Sequence, residues 1–201
     1  MALPLSVETE QTRQLDAKLG GLALQDLLQW PPATDDDLNT IARIITEMSE
    51  IDFMLRQIVE LMNHFDVEQI PEKLRRRVSS LKIGEVEDVV EASRWIFGSN
   101  ANAIQSIRDD RRMRNLVGHF AVRRFPTDNA LLFLTKSDED AKRILGQMPR
   151  PGIMITAVAE AGELARRLRV VQAHRRWLND VAQDIGDHYF TQSKPRNPRQ
   201  P

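Results

Sequence analysis

Between Ile41 and Phe65, apolar side chains recur at spacings of three and four: Ile41, Ile44, Ile45, Met48, Ile51, Leu55, Ile58, Val59, Met62 and Phe65. Residues so spaced share one face of an α-helix. The stretch therefore predicts a helix of about seven turns carrying one continuous apolar stripe. Such a stripe has to be covered, either by the rest of the chain or by a second copy. Its start is marked: Pro31-Pro32 stops any preceding helix, and Thr34-Asp35-Asp36-Asp37 supplies a cap and favourable negative charge for the first turn.

A second long helix is predicted over 156–185, with Val158, Ala161, Ala165, Leu168, Val171, Leu178, Val181 and Ile185 as its stripe. Shorter helices are predicted from Pro71 toward Leu81, where Arg75-Arg76-Arg77 lie, from Glu85 to Phe97, from Ser99 to Val117, and from Asp138 to Leu145 ahead of Pro149 and Pro151. His119–Phe125 and Ala130–Thr135, rich in aromatic and β-branched residues, flank Pro126-Thr127-Asp128-Asn129 and predict a β-hairpin. With 9 Gly, 7 Phe and 1 Tyr the chain has little else to build sheet from. The fold class expected is mainly α, with one small hairpin inserted before the last long helix. Residues 1–37 read as a partly helical arm, docked on the body or on a partner and weakened mid-helix by Gly20-Gly21. Residues 38–190 form the helical domain, and 191–201, with three prolines and no apolar core residue, a disordered tail.

Composition narrows the chemistry. There is no cysteine, so disulfides, thiolate metal sites and cysteine nucleophiles are excluded. No glycine-rich phosphate loop or serine elbow occurs, and no histidine stands at metal-ligand spacing from the acidic clusters, so neither a cofactor nor a metal is expected. No basic-apolar leader and no uncharged bilayer-length stretch is apparent, which predicts a cytoplasmic protein with no membrane partner. A formal net charge of -1 argues against one broad basic face for nucleic acid, while leaving room for local arginine patches.

The residues with most chemical promise are Arg114-Asn115-Leu116-Val117-Gly118-His119. A histidine near neutral pKa takes or gives a proton, and an arginine grips a phosphate bidentately. An asparagine orients either group. These are the types needed to cut RNA without a metal. Asn115 and His119, four apart, share a helical face. Arg114 lies about 140° further round, unless the helix loosens near Gly118. Spacing alone decides nothing, because Arg169 and His174 repeat it inside a basic stretch that also holds Arg166, Arg167, Arg175 and Arg176, a solvated helix face. His64 reads as a helix-end group, and His188 lies in Asp187-His188-Tyr189 near the C-terminal boundary.

Context separates the first match. Arg-Asn-Leu-Val-Gly-His-Phe at a helix end, followed by a short hairpin and a long helix, resembles the HEPN superfamily (higher eukaryotes and prokaryotes nucleotide-binding). Ser49-Glu50-Ile51-Asp52-Phe53 on the first long helix is similar to the family's acidic stretch, with Asp52 matched to its acid and Glu50 the alternative. The resemblance spans roughly residues 38–185. It implies a HEPN-like helical bundle that pairs as a homodimer, and a composite site cutting RNA to a 2′,3′-cyclic phosphate in a toxin–antitoxin, defence or RNA-processing role. On this chain it makes His119 the acid or base, Arg114 the phosphate clamp and Asn115 the orienting group, with Arg111, Arg112, Arg123 and Arg124 along the RNA path. Some members carry a tyrosine just after the histidine, modified by an antitoxin partner. Here Phe120-Ala121-Val122 follow, and the single tyrosine is Tyr189. Other members are non-catalytic interaction or regulatory proteins, the alternative reading of this chain.

Overall fold

The computed structural model describes residues 2–3, 6–64, 80–92, 102–137, 139, 142 and 155–192, apart from the side chains of residue 92 and of 188–192. The expected helix from Pro71, the far part of the one expected over Glu85–Phe97, nearly all of Asp138–Leu145 and the tail from residue 193 lie outside them. Among the described residues the chain is mostly helical with one three-stranded antiparallel sheet. The elements are α1 (Glu10–Ala17), α2 (Leu24–Leu28), α3 (Asp35–His64), α4 (Ile83–Ala92), α5 (Ala103–His119), β1 (Ala121–Arg124), β2 (Leu131–Thr135), β3 (Ile155–Ala159) and α6 (Glu163–Gln192). No described helix is long and apolar enough to cross a membrane.

Residues fall into two compact units. The first comprises Met1–Met48 and Gln105–Gln172, the second Ser49–Ile104 and Ala173–Pro201. The long helices α3 and α6 contribute to both. In the second unit Ile51, Leu55, Ile58, Val59 and Met62 of α3 are buried, as are Val86, Val89 and Val90 of α4 and Leu178 and Ile185 of α6. The apolar periodicity that predicts α3 is thus the periodicity of its burial. Its start is built as a reciprocal cap: the Thr34 backbone N–H donates to Asp37 Oδ2 (2.8 Å), and the Asp37 N–H donates to Thr34 Oγ1 (3.3 Å).

The first unit is layered around its sheet. In β2, Leu131, Leu132, Phe133 and Leu134 are all buried, although neighbours on a strand point to opposite faces. Two cores explain this. Leu131 and Phe133 join Ile41, Ile44, Met113, Leu116 and Leu168 from α3, α5 and α6. Leu132 and Leu134 join Leu15 of α1, Leu27 of α2 and Phe125 on the other face. A strand covered on both faces reads as a continuous apolar run. Each leucine side chain so buried contributes roughly 1.5–3 kcal/mol. The N-terminal arm therefore supplies the sheet's second cover, and Gly21, at φ 83, falls between its two helices. The same arm blunts a sheet edge: Pro32 bridges Arg123 of β1, and the Arg124 N–H donates to Pro31 O at 2.8 Å.

The hairpin expectation is enlarged and one boundary corrected. β1 pairs antiparallel with β2 (Ala121↔Leu134), and β2 pairs with β3 (Leu131↔Ala159). Ile155–Ala159 is this third strand, where helix was expected from Thr156. Its run Ile-Thr-Ala-Val-Ala fits either period, and pairing with β2 decides for strand. Gly162, at φ 72, turns the chain, and α6 begins only at Glu163.

Candidate functional site

Helix α5 is seated by its apolar side. Met113, Leu116, Val117 and Phe120 are buried in the first unit's core, leaving Arg114 and Asn115 half-buried and Gly118 and His119 exposed. The helix stays regular to its end, with the Phe120 N–H donating to Leu116 O at 3.0 Å. The loosening near Gly118 that would gather the three polar groups does not occur. Arg114 and His119 keep the wide separation round the axis that five helical positions impose.

The structure joins two of the three motif side chains. Arg114 Nη1 donates to Asn115 Oδ1 at 3.0 Å. His119 makes no hydrogen bond or ion pair to any described residue. A single chain thus presents an oriented guanidinium–amide pair and, one turn on from Asn115, an exposed imidazole. A Cβ on Gly118 would meet only Ile45 Cδ1, at 3.7 Å, an ordinary contact. Gly118→Ala is therefore expected to raise stability by about 0.5–1 kcal/mol, since alanine is the better helix former. Urea denaturation checks this, and a lower midpoint would show that the chain needs glycine there.

The other predicted site residues are distributed unevenly. Asp52 is half-buried on α3 and belongs to the second unit, as does Glu50, whose Oε2 forms an ion pair with Arg175 Nε at 3.3 Å. Of the four arginines expected along an RNA path, Arg112 keeps a side chain 66% exposed, 4.0 Å from Asp109. Arg111 is half-buried. Arg123 donates to the carbonyls of Leu28 (3.3 Å) and Val122 (2.9 Å). Arg124 donates to Asp37 Oδ2 (2.7 Å) and Asn129 Oδ1 (2.6 Å). These last two tie the arm and the start of α3 to β1. The basic stretch on α6 is not uniformly solvated either. Arg167 and Arg175 are half-buried beside acidic partners, and burial lowers the pKa of His174.

Sequence reasoning missed Asp110. It lies on α5 one turn before Arg114 and is 1% exposed. Burial raises its pKa from 3.8 to about 6, opposed by the Arg167 guanidinium, whose Nη1 is 3.9 Å from Asp110 Oδ1. The available signal was its place four residues before the motif arginine, inside a run of charges, Asp109-Asp110-Arg111-Arg112, that looks solvated. Among the described residues no three His, Asp or Glu side chains cluster as metal ligands would.

No family model matches the chain, and no curated protein or solved structure matches it.

Proposed function

We propose that the chain is a metal-independent endoribonuclease of the HEPN type, with a helical-bundle fold, acting in the cytoplasm as a homodimer in a toxin, defence or RNA-processing role. The observation that carries this reading is the split state of the motif in one chain. Arg114 is aligned by Asn115, while His119 stands exposed and unengaged on a helix end that the core holds still. A pair of chains opposing these helix ends would supply what one chain lacks.

In the proposed reaction a ribose 2′-hydroxyl attacks the adjacent phosphorus. His119 of one protomer takes the hydroxyl proton, the P–O5′ bond breaks, and the departing 5′-oxygen receives a proton from the second protomer's histidine or from water. Arg114 stabilises the charge that builds on the non-bridging oxygens, and Asn115 holds the guanidinium to that task. The products are a 2′,3′-cyclic phosphate and a free 5′-hydroxyl. Asp52, in the second unit, is given no part in this step.

Expression in cells tests the reading. Wild type is expected to arrest growth, and His119→Ala or Arg114→Ala to relieve the arrest at equal protein level. Equal growth of all three would instead favour an interaction or regulatory module, with the motif serving the dimer.

A further inference from the structure

Away from the motif, the first unit holds a cleft of about 300 Å³ between the chain segment leading into α1 and the start of α6. One wall is acidic. Glu160 Oε1 accepts from Thr12 Oγ1 at 2.6 Å and from Thr9 Oγ1, and these hydrogen bonds lower its pKa and keep it ionised. Glu163, 7% exposed, accepts from Ser6 Oγ and from the Glu160 N–H (3.1 Å). The same lining also carries two arginines beside these acids. Arg166 is exposed, with Nη1 donating to Ala161 O at 3.3 Å. Arg167 brings Nη2 to 3.5 Å from Ser6 Oγ. The cleft is also lined by two apolar side chains left in solvent, Val7 at 85% exposure and Val170 at 39%.

The formal charges of Glu160 and Glu163 and of Arg166 and Arg167 cancel, so the lining offers no net charge to a simple ion, while a molecule carrying both signs finds a partner for each. Docking of the arm accounts for the hydroxyl-to-carboxylate bonds. It does not account for an exposed arginine and two exposed valines lining the same small cleft, and the volume is at the lower end of small-molecule sites. We propose that this cleft binds a small zwitterion with an aliphatic side chain, of the free amino acid class. The ammonium faces Glu160, the carboxylate faces Arg166, and the aliphatic group lies between Val7 and Val170. Arg167 lines the cleft and also stands 3.9 Å from Asp110 of α5.

Calorimetric titration of the full chain tests this with three probes: L-leucine, leucinamide, which lacks the carboxylate, and N-acetyl-leucine, which lacks the ammonium. Leucine is expected to bind saturably, and each analogue to bind weaker by about tenfold or more. Arg166→Ala should weaken leucine by a similar factor while leaving the melting temperature of the unliganded protein unchanged. No saturable heat with leucine up to roughly 10 mM would overturn the proposal. Leucinamide or N-acetyl-leucine binding as tightly as leucine to the wild-type chain would do so too, whatever the variant does. RNA cleavage plays no part in these readouts, so the proposal stands or falls independently of the ribonuclease reading.

Discussion

His119→Ala is expected to slow RNA cleavage by about 10²–10⁴-fold, the usual worth of a positioned acid or base. Arg114→Ala should slow it by about 10²–10³-fold, as losing one preorganised donor to a developing oxyanion does. The two differ in what else they disturb. His119 is exposed and has no partner among the described residues, so its replacement should leave stability within about 0.5 kcal/mol of wild type. Arg114 is half-buried and donates to Asn115, so its loss frees the Asn115 amide and removes a packed aliphatic stem. Combining the two should cost little more than the worse single change, because residues acting as one unit are not additive. Single-turnover cleavage of a labelled RNA, beside urea denaturation of each variant, separates the catalytic losses from the structural ones. Rates that fall only in proportion to lost stability would assign both residues to the fold.

Asp110→Asn is expected to stabilise the protein by about 2–3 kcal/mol at pH 7.5 and by almost nothing at pH 4. The sign follows from the direction of the pKa change. The folded-state value, about 6, lies above the ordinary 3.8, so the folded chain holds a proton that the unfolded chain has released. Stability therefore falls as pH rises between those values, and the full penalty is present above about 6. At about 1.4 kcal/mol per pH unit the interval corresponds to about 3 kcal/mol. Arg167 at 3.9 Å already offsets part of the burial penalty. Asparagine keeps the shape and carries no charge at any pH. Denaturation of wild type and variant between pH 4 and 7.5 should show the wild-type decline above pH 4 and a flatter variant. Parallel curves would mean that Asp110 is not the titrating group.

The architecture was legible in the sequence where local pattern and tertiary role coincide. The stripe from Ile41 to Met62 is such a case, since the residues at helical spacing are the buried ones. So is the hairpin after His119, where the turn Pro126–Asn129 separates two runs rich in aromatic and β-branched residues. Legibility failed where a distant partner decides. Ile155–Ala159 fits a helical stripe and a strand equally, and only β2 makes it a strand. Whether the arm docks on the body or on a partner was open in the sequence, because Leu15 and Leu27 gain their meaning from Leu132, Leu134 and Val158, more than a hundred residues later. Asp110 was not singled out in the sequence, because its burial involves Arg167 on another helix. At the motif the sequence left open whether the helix loosens near Gly118, and regular helix through His119 keeps Arg114 and His119 apart in one chain.

The central claim is cleavage by a dimer through His119, and one incubation tests it most directly. Purified wild-type protein and His119→Ala are each mixed with RNA in EDTA, and the new 3′ ends are examined. Fragments ending in 2′,3′-cyclic phosphate from the wild type, and intact RNA from the variant, are the predicted result. Intact RNA from both, or identical fragments from both, would contradict it.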